Sequence, residues 1–342
     1  VEFFNPETVI GTVEALETAI GKIPFPMTLK VIDHLDKGAI HWIAESPLVF
    51  IGSGNGGSSI GITLGGGKPG FATADKHSLR VPVSLLDDPS VVRPGTAFGS
   101  LFLLPGTDET LRVNGRVAEV RNGEILVRVE ECYGHCAKAL IRSDFWSVPD
   151  ENAPLDAADF VGASRFMALA TMDANGSADL SPKGDPAGKM ASVNEDRIWF
   201  ADRPGNRRTD SFHNIVTQPQ VAAAFLIPGS LHVCRVLGTA RMTINETVRA
   251  RFIVQGKTPA LAIAIDINHL ELQPSGALSR AGIWPAGEPT HGIKPAQLFL
   301  EHTKLNKHKS FGARLASAAL SLPGSKSLME KGLKKDYKDN LY

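Results

Sequence analysis

Phe102-Leu-Leu-Pro-Gly106 and Phe225-Leu-Ile-Pro-Gly229 are one phrase written twice. The agreement runs on without a gap into Arg112-Val113-Asn114-Gly115 and Arg235-Val236-Leu237-Gly238. Further out, Ala139-Leu140-Ile141-Arg142 through Trp146 matches Ala277-Leu278-Ser279-Arg280 through Trp284, and Gly66-Gly-Lys-Pro-Gly70 stands where Gly184-Asp-Pro-Ala-Gly188 stands later. A repeat of this length is no solenoid period. It is a whole domain copied and fused, so the two halves should pack as the subunits of a two-fold dimer would. The wider spacing of the later matches predicts an insertion in the second copy, a helix over 245–255 capped by Asn245, with Val248, Phe252 and Ile253 inward.

Each copy reads as β structure. Strands are predicted over 46–54, a return strand to 64, then 79–83, 97–104, 110–121 and 125–136, and the second copy restarts over 164–173. Asn55-Gly56 and Asn175-Gly176 are dipeptides suited to tight hairpins, where the central residues take positive φ. Ahead of the first strand, Asn5-Pro6-Glu7 predicts a helix start with Val9, Val13, Leu16 and Ile20 on one face. A second helical pattern runs from Thr28 to Leu35 and resumes over 40–44. The expected organisation is a helical lead-in over 1–45, a first barrel over 46–150, a second over 151–286 and a helical extension over 287–342. Within that extension, 294–302 and 311–322 have helical spacing. The fold class is mainly β (α+β): two tandem antiparallel barrels packed as a pseudo-dimer.

Composition narrows the function classes. The 342 residues are 43% hydrophobic, and 36 Lys or Arg balance 36 Asp or Glu, so net charge signals neither nucleic acid nor a membrane surface. From Thr303 onward nine basic residues face three acidic ones, a net of +6 that leaves −6 for the rest; such a tail reads as solvated or packed on an acidic face. Three cysteines without repeated spacing argue against a disulfide framework. No stretch approaches a membrane span or a signal sequence, which leads to the expectation of a cytoplasmic chain. Cys132-Tyr-Gly-His-Cys136 has no second ligand pair, so no metal is expected, and Gly65-Gly-Gly-Lys68 lacks the ending of a nucleotide loop.

The chemistry concentrates in two places. Ser181-Pro-Lys-Gly-Asp-Pro-Ala-Gly188, followed by Ala201-Asp-Arg-Pro-Gly-Asn-Arg-Arg208, puts Lys183, Arg203, Arg207 and Arg208 around a turn that leads into a helix, an arrangement suited to phosphate. The first copy has Gly65 at the place of Lys183 and a short connection through Asp87-Asp88-Pro89 instead of that turn. Conversely, Glu109-Thr-Leu-Arg-Val-Asn-Gly-Arg116 and His135-Cys-Ala-Lys-Ala-Leu-Ile-Arg142 belong to the first copy alone. The polar endowments are complementary.

These four motifs, with the lead-in Ile32-Asp-His-Leu-Asp and Trp42-Ile-Ala-Glu-Ser-Pro, resemble the bacterial branch of the pyridoxamine 5'-phosphate oxidase-like, FMN-binding split-barrel family over residues 28 to 286. Members are typically homodimers with FMN in the cleft between subunits. Here, motifs normally carried by one subunit are divided between two fused copies, which implies one FMN per chain, in a pseudo-dimeric monomer or a homodimer of such chains. By resemblance, Lys183, Asn206, Arg207 and Arg208 would hold the phosphate, with Ser181, Ala201 and Asp202 along the ribityl chain and ring edge. Arg203 and Ser211 would stand close by. Arg112, Asn114 and Arg142 of the first copy would complete the pocket, and His135 and Lys138 would meet the substrate. His135 is the candidate for proton transfer, because an ordinary imidazole titrates near neutral pH. The resemblance implies an FMN-dependent oxidoreductase acting on a small molecule, with NAD(P)H a possible reductant. A non-catalytic flavin or haem carrier, or a deazaflavin-dependent reductase on the same barrel, stays open as an alternative.

Overall fold

The computed structural model describes residues 4–54, 59–150, 152–205, 208–289, 291–306, 331–332 and 335–342. A two-residue strand, β1 (Val9–Ile10), precedes the first sheet. That sheet is formed by β2 (Leu48–Gly54), β3 (Ile60–Gly66), β4 (Thr73–Ala74), β5 (Ser78–Pro82), β6 (Ala97–Leu103), β7 (Thr110–Arg121) and β8 (Glu124–His135). The second is formed by β9 (Phe166–Met172), β10 (Ala178–Gly184), β11 (Ala191–Asn194), β12 (Arg197–Ala201), β13 (Gln220–Leu226), β14 (His232–Thr243) and β15 (Ala262–Pro274). The strand orders are β3-β2-β6-β7-β8-β5-β4 and β10-β9-β13-β14-β15-β12-β11, the same path walked twice, with every described pairing antiparallel. The repeated phrases thus fall on matching strands. Their Pro-Gly endings place Gly106 and Gly229 at φ 74° and 85°, a backbone that glycine adopts without strain.

Each half buries its own core, one around Trp42, Phe98 and Phe102 and the other around Phe160, Phe200 and Phe225. A third cluster lies between the sheets and draws on both, including Phe50, Leu64 and Phe145 from the first half and Phe166, Leu180 and Leu278 from the second or its flank. Small residues let the halves approach closely: a Cβ on Gly52 would come within 2.7 Å of Ala170 Cβ, and one on Gly99 within 2.9 Å of Ala178 O. The pseudo-two-fold is visible in single bonds. Arg142 Nε donates to Gly184 O at 2.9 Å, and its counterpart Arg280 Nε donates to Gly66 O at 2.9 Å. Arg142 Nη1 reaches Pro204 O and Arg280 Nη2 reaches Leu85 O in the same way.

The lead-in departs from the expected helix. Asn5 caps a turn through Thr8 N, after which Val9 and Ile10 pair with Thr243 and Met242 of β14, and the helix Val13–Ile20 starts only at Thr12, whose side chain accepts from Ala15 N. Main-chain pairing with a strand outweighs a locally good helix start. The next segment gives a single turn, Phe25–Thr28, and then a helix Lys37–Glu45 capped by Asp36. In the insertion Asn245 does cap a helix, Glu246–Ala250, and Val248 and Phe252 are buried, but Ile253 lies beyond its end and is largely exposed. Pro295–Leu305 forms the first helix of the extension; the helical spacing over 311–322 and the hairpin dipeptide Asn55-Gly56 lie outside the described residues.

Candidate functional site

The two clefts related by the pseudo-two-fold differ. In the first half, Gly65 pairs with Leu86 through a backbone bridge that ties β3 to the chain after β5. Asp87 then fills the corner beyond: its carboxylate accepts from Ser275 Oγ at 2.5 Å and Ala277 N at 2.7 Å. In the second half Lys183 replaces Gly65, and no such bridge joins it to the 202–205 segment among the described residues. A cavity of about 1060 Å³ opens there instead.

Second-half residues on Ser181–Gly184 of β10, the turn from Ala201 to Gly205, the start of the helix Asp210–Thr217 and the segment 257–260 wall it. The opposite wall is Arg112 on β7, Gly134 and His135 at the end of β8, and the helix Lys138–Ser143. Of the residues singled out in sequence, Ser181, Lys183, Ala201, Asp202, Arg203, Arg208 and Ser211 line the cavity from one half. Arg112, His135, Lys138 and Arg142 line it from the other. Asn114 stands behind this lining, and Asn206 and Arg207 lie outside the described residues.

Arg112 is fully buried and crosses between the halves. Its Nη1 donates to Asp210 at 2.9 Å and Asp179 at 3.3 Å, and its Nη2 donates to Ser181 Oγ at 3.0 Å. Asn114 and Asn214 both donate to Asp179, and Arg208 Nε donates to Asp210 at 2.9 Å while its guanidinium lies 4.3 Å from the Tyr133 ring centroid. Burial raises both carboxyls, but Arg112 and Arg208 together hold Asp210 below the ordinary carboxylate range, whereas Asp179 is left above it. Sequence reasoning assigned neither aspartate a role. Asp210 lies two residues past the quoted motif, and its signal is an acid opening a helix just after two arginines.

The remaining cations are less evenly matched. Lys183 Nζ lies 4.1 Å from the Phe212 ring centroid, and burial pulls its ammonium down to about 8. Lys30, which the sequence reading passed over, is buried on the cavity wall, donates to Gly134 O at 2.8 Å, and is drawn down to about 7 by burial. Arg203 Nε donates to Asp185 at 2.6 Å, yet its Nη2 is buried with no hydrogen-bond partner among the described residues. His135 Nδ1 is likewise buried and has no hydrogen-bond partner among the described residues. Burial, together with the charges of Arg112 and Lys30, holds His135 well below its ordinary value, so the expectation that it titrates near neutral pH does not hold. It is a neutral imidazole that can donate or accept a hydrogen bond. Arg142 is spent largely on backbone oxygens, which its mirror image Arg280 explains as a feature of the fold.

No group of three or more His, Cys, Asp or Glu able to hold a metal ion occurs among the described residues, and no helix among them is long and apolar enough to cross a membrane.

Residues 155–274 match the family model described as pyridoxamine 5'-phosphate oxidase. No curated protein sequence matches the chain. Among solved structures, HupZ from Group A Streptococcus is 18% identical, over 37% of this chain and 98% of its own, at a TM-score of 0.30. A putative pyridoxamine 5'-phosphate oxidase from Lactobacillus delbrueckii is 18% identical over 36% and 96%, at 0.28. HutZ, the heme storage protein from Vibrio cholerae, is 13% identical over 34% and 90%, at 0.23. The matched span 155–274, which carries the Ser181 and Arg203 motifs, is thus similar to the pyridoxamine 5'-phosphate oxidase family, and the first half repeats its strand order, as a tandem duplication would.

Proposed function

We propose that the open cleft binds one FMN per chain and that the protein is an FMN-dependent oxidoreductase acting on a small molecule. The observation that carries this reading is the cavity itself: a wall with Lys183, Arg203 and Arg208 faces a wall from the other half with His135 and Lys138, across about 1060 Å³. Cofactor sites commonly fall in the range of roughly 300–1,000 Å³.

The residues fit a phosphate-bearing cofactor. Lys183 and Arg203 Nη2 are buried donors that want an anion, and bidentate guanidinium contact suits phosphate. Asn206 and Arg207 belong to the same turn by sequence and join the assignment on that ground. Ser181, Ser211, Ala201 and Asp202 would border the rest of the cofactor. Arg112, tied to Asp210 and Ser181, would act as the rigid strut that sets the spacing of the two walls, with Asn114 and Arg142 bracing it from each side.

Bound there, FMN supplies hydride and electron chemistry that no side chain has. The protein's part is to bind, orient and exclude water. His135, neutral and with Nδ1 free, would hold a polar edge of cofactor or substrate by a hydrogen bond. Lys30, near its midpoint at neutral pH, is the wall group best suited to give or take a proton. NAD(P)H is a candidate reductant. The closed first cleft, filled by Asp87, is the reason for expecting one site and not two.

The test is the visible absorption spectrum of the purified protein, with the released chromophore identified and counted per chain. One FMN per chain, reduced by NAD(P)H or by a substrate and reoxidised with turnover, is the expected result. Bound flavin without turnover would make the protein a carrier. No flavin after reconstitution would overturn the reading and leave haem or a deazaflavin to be tried.

A further inference from the structure

Residues 335–342 fold back against the first-half wall of the cavity. Lys138 is 4% exposed, and its ammonium meets the Asp336 carboxylate at 2.8 Å, with no other carboxylate within 4 Å among the described residues. Tyr337 Oη donates to Glu109 Oε1 at 3.2 Å, Arg142 Nη1 donates to Leu341 O at 2.9 Å, and Lys257 Nζ donates to Tyr342 O at 2.6 Å. Asp336, Tyr337, Asn340 and Tyr342 all line the cavity. To the cations of the wall this segment offers oxygens: a carboxylate for Lys138 and carbonyls for Arg142 and Lys257.

The closed cleft holds a carboxylate of its own beside the corresponding helix. Ala277 there is the counterpart of Ala139, and the carboxylate at the start of that helix is Asp87, held in place next to the Gly65–Leu86 bridge. In the open cleft the carboxylate near the corresponding helix, on the Lys138 ammonium, comes instead from a distant piece of chain. Asp336 is 45% exposed and lies on a helical stretch described over 335–339. A buried ammonium cannot be left without an anion at low cost, but nothing requires that anion to be Asp336.

We propose that residues 335–342 form an internal strap in which Asp336 holds, on Lys138, the place of an acidic group of the small-molecule ligand. The ligand class is a small organic acid, whose carboxylate displaces Asp336 and whose further oxygens take over the Arg142 contact vacated by the strap. The strap keeps Lys138 neutralised, and its ammonium covered, between ligands. This goes beyond the flavin reading and does not depend on which cofactor the cavity takes.

Cys136 provides the readout. It lines the cavity beside Lys138, while Cys132 and Cys234 are fully buried. The rate of its modification is measured on the full chain as purified, with dithionitrobenzoate, an anionic disulfide, and with N-ethylmaleimide, a neutral reagent; a Cys136→Ser variant identifies the reporting thiol. Asp336→Asn should speed both reactions by loosening the strap, and the anionic reagent by roughly tenfold more than the neutral one, since it then meets an unpaired Lys138. Adding Lys138→Met to Asp336→Asn should remove that excess while keeping the general acceleration. Rates in Asp336→Asn within twofold of the parent for both reagents would overturn the strap. Persistence of the anionic excess in the double variant would overturn Lys138 as the acid-binding group. Flavin content is scored separately, so the loss of one reading does not carry the other with it.

Discussion

An alanine at Gly184 would put its Cβ 1.9 Å from Ala139 O and 2.8 Å from Ala139 C, where ordinary contact begins at 3.4 Å. The obstructing atoms are backbone of the cavity-wall helix Lys138–Ser143, so no flexible side chain can swing aside. Relief needs the helix and β10 to part by more than an ångström, at an overpacking cost of about 3 kcal/mol. The Arg142 Nε bond to Gly184 O is stretched with it, adding about 1 kcal/mol. Together these should lower the melting temperature by roughly 6 °C for a chain of this size. Gly66→Ala meets Ala277 O at 2.2 Å and should cost a similar amount, because the same bond recurs there through Arg280. The two variants should part company in flavin binding, since only Gly184 lies on the open cleft. Thermal unfolding and flavin stoichiometry, measured side by side, give both numbers. A Gly184→Ala melting temperature within about 1 °C of the parent would refute the close backbone approach. Equal flavin loss in both variants would refute the assignment of the cofactor to the second cleft.

Arg203→Ala and Lys183→Met should each weaken flavin retention at least tenfold at neutral pH with circular dichroism unchanged; titration of the apo-protein checks this, and parental affinity in both would sink the phosphate assignment. Because burial holds the free Lys183 ammonium at about 8, FMN affinity should be steady below that pH and fall above it as the unliganded form loses its proton. The sign is opposite for the apo-protein's stability, where the same lysine should contribute a rise between about pH 8 and its ordinary value of 10.5, and Lys183→Met should flatten both profiles. Asp87→Ala should cost about 2 kcal/mol by stranding Ser275 Oγ and Ala277 N, yet leave the flavin count at one, as read by denaturant unfolding and by cofactor assay.

How far the sequence carries is best judged on particular stretches. The strand expected over 110–121 coincides with β7, and Asn245 caps the insertion helix, because period and capping are local properties written in adjacent residues. The lead-in misled because Val9 and Ile10 found a partner strand more than 200 residues away, at Thr243 and Met242, which no local pattern announces. His135 was read with an ordinary imidazole's titration, but its environment is set by Arg112 and Lys30, brought beside it by pairing across the sheet and by the lead-in.

By itself the sequence determined that the chain is a doubled β domain and that the two copies hold complementary polar motifs, since repeated phrases and residue types survive without coordinates. Only the tertiary structure decided which cleft is open. That choice rests on a backbone bridge between Gly65 and Leu86, on Asp87 reaching a helix 190 residues on, and on Arg112 spanning to Asp210 across 98. It also rests on Asp336 returning to Lys138. Such contacts join residues far apart in the chain, and their strength comes from burial that exists only once both halves have packed.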